Sequence, residues 1–107
     1  MATITYTVTV ATGTNQYGTG NKFYINGSVS PDLNLIEGNT YIFDQSDSTN
    51  GTHFLAFSTS PNNSPAAPYT TGVTITGTPG TDGKTTIVVA TNAPTLYYYC
   101  TAHSGMG

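Results

Sequence analysis

Residues 96–107, LYYYCTAHSGMG, combine a strand pattern with several potential metal ligands. The first half of this stretch predicts a β-strand, because aromatic residues are enriched in strands. Its second half carries Cys100, His103 and Met106 at equal spacing, Cys-x2-His-x2-Met. A thiolate, an imidazole and a thioether on one short loop can reach a single metal ion, and soft sulfur ligands with imidazole favour copper.

One more histidine would complete the set of two histidines, one cysteine and one weak methionine that is typical of blue-copper sites. His53 is the only other histidine, and it follows a polar loop at the start of a predicted strand. Taken singly, these residues have commoner explanations: Cys100 as a small buried hydrophobe, His103 as a surface residue and Met106 as part of a mobile tail. Their combination favours a metal site with His53, Cys100, His103 and Met106 as candidate ligands.

The composition excludes several classes of protein. Charged residues make up only 7% of the chain, the net charge is −3, and the basic residues are two lysines, whereas a typical domain is about 25% charged. Binding to nucleic acid or to an anionic membrane is therefore not expected, since both need basic residues. A surface rich in Thr, Ser, Asn and Gly favours an extracellular or virion protein.

The length and the single cysteine set further bounds. Residues 1–107 are expected to form one domain, and one cysteine cannot form an internal disulfide. The first residues show neither a charged segment nor an apolar segment of a signal peptide, and no apolar run approaches the roughly 20 residues of a membrane span. The chain is expected to remain where it is made, or to be a module or truncated part of a longer protein.

Alternation of polar and apolar residues predicts an all-β fold. Between residues 3 and 10 every second residue is threonine, and Ile4, Tyr6, Val8 and Val10 share the other face. Gly- and Thr-rich residues 11–21 and Pro-rich residues 59–69 are interpreted as irregular connections. Short strands separated by turn residues predict a Greek-key β-sandwich or barrel of about seven or eight strands. The predicted strands are 3–10, 22–25, 33–36, 40–44, 54–58, 72–75, 85–89 and 95–100.

Alternation in the last strand also predicts which side chains face the core. Leu96, Tyr98 and Cys100 share one face, and Tyr97 and Tyr99 share the other. A metal-binding cysteine at the rim of the core is expected to point inward. Tyr99 is therefore expected to face solvent.

The strand order and the candidate ligands resemble the cupredoxins, the small type 1 blue copper proteins. The resemblance rests on Phe43, the polar loop before His53, and the sequence YCTAHSGM at residues 99–106, whose short spacing is similar to the ligand loop of the amicyanins. It implies that His53, Cys100 and His103 are equatorial ligands and Met106 the axial one. Residues 41–46, 69–73 and 96–107 also resemble cupredoxin-like modules in structural proteins of marine cyanobacterial phages.

Two features depart from the cupredoxin pattern. The family usually has an asparagine directly after the first histidine, where it joins the two ligand loops, and this chain has Phe54. Either the ligand loops are less rigid than in the family, or a different bond, such as one through Thr101, replaces the asparagine. The family also continues past the methionine into a further strand, so Met106 is expected to be mobile without metal and bound with it.

Other chemistry finds less support in the sequence. The five acidic residues are scattered, no Ser-His-Asp arrangement is apparent, and Cys100 and His103 with a following methionine suit a metal better than a hydrolase. Zinc rarely takes methionine. We therefore expect a non-enzymatic protein that binds one copper ion and transfers single electrons, with a redox protein as its partner. The alternative is a virion or surface structural module in which copper is stabilising or vestigial.

Overall fold

The structure is a computed structural model that describes residues 1–60 and 67–107. Within these residues it contains nine strands and one turn of 3-10 helix, Ser48–Asn50. The strands are β1 (Thr3–Asn15), β2 (Gly18–Ile25), β3 (Ser28–Val29), β4 (Thr40–Gln45), β5 (Leu55–Ser58), β6 (Pro68–Tyr69), β7 (Val73–Thr76), β8 (Gly83–Val88) and β9 (Tyr97–Cys100). In this described part, no helix is long and apolar enough to cross a membrane.

The strands form two sheets. One has six strands in the order β3-β2-β1-β4-β8-β7, and the other has three in the order β6-β5-β9. The β1–β4 pair is parallel and the other pairs are antiparallel. The β1–β4, β4–β8 and β5–β9 pairs join strands that are distant in sequence, as Greek-key connections do.

Both sheets contribute to a single core, which confirms the predicted all-β sandwich. Phe43 of the large sheet and Phe57 of the small sheet meet edge to face, with ring centroids 5.5 Å apart, a favoured arrangement for aromatic pairs. The alternation predicted for residues 3–10 is also confirmed, since Val8 and Val10 are buried and their threonine neighbours are more exposed. Cys100 and Met106 belong to the same buried cluster, so the candidate ligands lie at the edge of the core.

The prediction that residues 11–21 form a loop is wrong. β1 continues to Asn15, β2 begins at Gly18, and the two pair directly as a hairpin. The glycines that suggested a loop serve the hairpin instead. Gly18 has a φ of 108°, which glycine tolerates, and a Cβ on Gly13 would lie 2.5 Å from the Tyr24 hydroxyl oxygen.

The predicted strand 33–36 is also absent, because no strand of the described residues pairs with it. The segment is held by side chains instead. The Tyr98 hydroxyl donates a hydrogen bond to the Pro31 carbonyl at 2.6 Å, and the Tyr41 hydroxyl accepts one from the Ile36 amide at 2.9 Å. Burial, and then the charge of Asp32, raise the pKa of Tyr98 well above its usual range, so this phenol stays a hydrogen-bond donor.

Tyr99 does not face solvent as predicted, because it is only 5% exposed. Its partner on β5, Ala56, is buried as well, so both faces of the small sheet are covered at this position. Alternation predicts exposure only where one face of a sheet is open. Leu96 and Tyr98 pack against the core while remaining partly exposed.

The remaining predicted strands are found with shifted ends. The strand predicted at residues 54–58 begins at Leu55, and the one predicted at 95–100 begins at Tyr97. Most of the connection predicted at residues 59–69, namely residues 61–66, lies outside the described residues. Its end forms the short strand β6, Pro68–Tyr69.

Candidate metal centre

Three nitrogen and sulfur donors meet at one end of the sandwich. The Cys100 Sγ lies 3.5 Å from Nδ1 of His53 and 3.8 Å from Nδ1 of His103, and one donor atom of each residue lies within 4.8 Å of the others. Cys100 and His53 are buried, whereas His103 is exposed. The structure therefore brings together three of the four predicted ligands with their donor atoms converging.

The last strand positions the thiol. Cys100 is the final residue of β9 and lies opposite Leu55, the first residue of β5. One residue later, the amide of Thr101 donates a hydrogen bond to the carbonyl of Phe54 at 3.0 Å. A backbone hydrogen bond of Thr101 thus joins the segments that carry His53 and Cys100. The resemblance to the cupredoxins implied an asparagine side chain for this role.

A buried amide network holds His53 in place. Gln45, which is fully buried, donates to the His53 carbonyl at 2.6 Å and accepts from the Leu55 amide at 3.0 Å. Asn50 is also fully buried. Its backbone carbonyl accepts a hydrogen bond from the His53 amide at 2.8 Å, and its side chain donates one to the Val8 carbonyl at 2.7 Å. Gln45 and Asn50 also bond to each other. His53 is therefore fixed to both sheets.

The sequence did not predict the support that Gln45 and Asn50 give to His53. A signal was present for Gln45, because it continues the inward alternation of Tyr41 and Phe43 along one strand. A polar residue at an inward position needs buried hydrogen-bond partners. Asn50 lies in the polar loop before His53, where nothing in the sequence distinguishes it from its exposed neighbours.

The electrostatics at the site favour neutral imidazole. Burial lowers the pKa of His53, and the nearby His103 lowers it further. The two rings lie 4.7 Å apart, between centroids, at an angle of 48°. A lowered pKa keeps His53 unprotonated at neutral pH, and an unprotonated ring is the form that binds metals.

The fourth predicted ligand, Met106, is 1% exposed and belongs to the core cluster that contains Cys100. Its backbone is tied to the large sheet. The carbonyl of Met106 accepts hydrogen bonds from the amide of Phe23 at 2.9 Å and from the hydroxyl of Ser30 at 3.0 Å. The Asn15 side chain donates to the next carbonyl upstream, that of Gly105, at 2.9 Å. The loop was expected to lack an anchor, and these bonds supply one.

Two clefts lie near this end of the molecule. A cleft of about 520 Å³ runs beside the ligand loop, between residues 103–106 and residues 17–22. A larger one, of about 640 Å³, lies between residues 30–37 and 93–98 and is lined by none of the four candidate ligands. The larger cleft is therefore separate from the metal centre.

Comparison of the chain with protein-family models, with curated proteins and with solved structures found no match. The case for a metal centre therefore rests on the convergence of His53, Cys100 and His103 in an all-β fold, with Met106 buried nearby.

Proposed function

We propose that this chain is a type 1 copper protein of the cupredoxin kind, in which His53, Cys100, His103 and Met106 hold one copper ion and one-electron transfer is the activity. The observation that carries the proposal is the convergence of a thiol and two imidazole nitrogens within 4.8 Å. They come from separate segments, the residues just before β5, the end of β9 and the loop after it.

The chemistry of the donors fits copper. Thiolate and thioether are soft ligands and select copper when combined with imidazole. Structural zinc sites take four ligands that are usually richer in cysteine and lack methionine. When bound, copper would supply a one-electron couple between Cu(I) and Cu(II).

Three of the four proposed ligands are shielded from solvent and held rigidly by the protein. His53, Cys100 and Met106 are at least nine-tenths buried, and the Gln45 network and the Phe23–Met106 hydrogen bond restrict their backbone. Side chains already fixed by packing and hydrogen bonds need little rearrangement when the charge at the site changes. The exposed ring of His103 supplies a short route from the buried thiol to the surface.

A structural role in a virion or surface assembly is the second candidate. The observation that favours it is the low charge of the chain, 7%, since many redox partners dock through charged patches. In this role copper would stabilise the fold without cycling between oxidation states.

Voltammetry of the copper-loaded protein separates the two roles. We expect a reversible one-electron wave with copper retained through repeated cycles, and we expect Cys100→Ser to lose it. Loss of copper on the first reduction, together with higher thermal stability of the Cu(II) form, would favour the structural role.

A further inference from the structure

The two lysines of this chain occupy very different environments. Lys84 lies on β8 and is exposed, whereas Lys22 lies on β2 and is only 4% exposed. Burying an ammonium group is unfavourable unless acceptors or an opposite charge compensate it. Compensating groups are therefore expected around the ammonium of Lys22.

Lys22 contacts the loop that carries two of the candidate ligands. Its Nζ donates to the carbonyl of Gly105 at 2.6 Å, and Gly105 lies between the predicted ligands His103 and Met106. Among residues 1–60 and 67–107, no carboxylate pairs with this ammonium, and the Gly105 carbonyl is the acceptor that it contacts. Among the described residues, a buried positive charge thus contacts the ligand loop without forming an ion pair.

The turn at this contact has a backbone conformation that favours glycine. Gly105 has a φ of 79°, a conformation that residues with a side chain rarely adopt. A Cβ at this position would lie 3.4 Å from the Tyr17 side chain and 3.6 Å from Lys22 Nζ. Lys22 and Asn15 both donate to the Gly105 carbonyl, so that the turn before Met106 is fixed from two sides.

We propose that Lys22 is a positioning residue of the metal centre, whose ammonium holds the turn before Met106 and whose positive charge, hydrogen-bonded to a carbonyl and not paired with a carboxylate, favours the reduced form of the bound metal. This inference rests on the proposed function. A positive charge in a site of low dielectric constant acts more strongly than one in water. It disfavours Cu(II) more than Cu(I), because Cu(II) carries one more positive charge.

Three variants separate the charge from the hydrogen bond. Lys22→Met removes both, Lys22→Gln removes the charge and retains a donor, and Lys84→Met makes the same charge change at an exposed position. In copper-loaded protein, both Lys22 variants should lower the ratio of Cu(I) to Cu(II) affinity about tenfold. This equals a fall of about 59 mV in reduction potential for one electron. Lys84→Met should change the potential much less, because exposed charges are screened.

A second readout needs no metal. In metal-free protein, hydrogen exchange of the Phe23 amide, which bonds to Met106, should be faster in Lys22→Met than in Lys22→Gln or Lys84→Met. If Lys22→Met does not fold, Lys22→Gln still tests the effect of the charge. Equal potentials in the Lys22→Gln and Lys84→Met proteins would overturn the electrostatic role of Lys22. Unchanged Phe23 exchange in Lys22→Met would overturn the positioning role. Failure of every variant and of the parent chain to bind copper would instead contradict the proposed function.

Discussion

Cys100 Sγ and His53 Nδ1 lie 3.5 Å apart, although the two residues are 47 positions apart in the sequence. Their proximity follows from the pairing of β5 with β9, which places Leu55 opposite Cys100. His53 lies two residues before Leu55, so this strand pairing places the His53 imidazole and the Cys100 thiol at the same end of the sandwich. The pairing of strands thus positions Cys100 and His53 of the candidate metal centre, and the loop after β9 supplies His103 and Met106.

Gln45→Ala should destabilise the protein and weaken the metal site. Removing the side chain leaves the buried His53 carbonyl and Leu55 amide without their partner, and we expect a loss of about 2 to 4 kcal/mol. Urea unfolding of the metal-free protein measures this change. Gln16, the other glutamine, is exposed, and Gln16→Ala should stay within about 0.5 kcal/mol of the parent. Equal losses in the two variants would show that the buried network has no special role.

Met106→Ala should lower stability even without metal. Methionine to alanine in a core costs about 2 to 5 kcal/mol, and Met106 is 1% exposed. The variant should still bind copper, but with a changed colour and reduction potential, since the axial ligand tunes such sites.

Met106→Leu is the matched control for that experiment. Leucine has a similar volume and no sulfur, so it should restore stability to within about 1.5 kcal/mol of the parent while leaving the potential shifted. A potential identical to that of the parent in both variants would show that the Met106 sulfur is not a ligand.

His53→Ala and His103→Ala should both weaken copper binding and alter the EPR spectrum of the Cu(II) form. Their effects on the metal-free protein should differ. His53 is buried, so its removal should cost about 1 to 3 kcal/mol, whereas the exposed His103 should cost less than about 0.5 kcal/mol. An unchanged EPR spectrum for His53→Ala would remove His53 from the ligand set.

The loss of folding stability at low pH should depend in part on Asp47. Its carboxylate accepts hydrogen bonds from the hydroxyl and the amide of Thr49, at 2.6 and 3.0 Å, and these bonds lower the pKa of Asp47. A lowered pKa in the folded state gives stability that is present above about pH 4 and is lost as the pH falls through the folded value. The urea midpoints of the parent and of Asp47→Ala, both metal-free, should therefore differ at about pH 7, and the difference should shrink as the pH falls below about 4. A constant difference would contradict this role of the carboxylate.

Parts of this structure follow from local sequence, and others do not. Alternation identified the inward face of β1, and the spacing of Cys100, His103 and Met106 indicated a candidate metal site. The structure brings the Cys100 and His103 donors together with that of His53. Residues 33–36 alternate like a strand but pair with no strand among the described residues. Strand pairing depends on the whole fold, so that local alternation cannot reveal it.

Burial of polar residues was the least predictable feature. Lys22 and Asn15 are covered by a loop that lies 83 and 90 positions further along the chain, as the hydrogen bonds to Gly105 show. Tyr99 is buried because both faces of the small sheet are covered. Contacts at such separation leave no periodic signal in the sequence. Gln45 is the exception, because its inward position in the alternation of β4 indicated that its side chain is buried.

Titration of the metal-free protein with Cu(II), followed by visible absorption, shows whether Cys100 coordinates copper as a type 1 centre requires. Thiolate coordination by Cys100 should give an intense charge-transfer colour that saturates at one copper per chain, and Cys100→Ser should abolish it. The absence of such a colour from a complex of one copper per chain would contradict the assignment of this site as a type 1 copper centre.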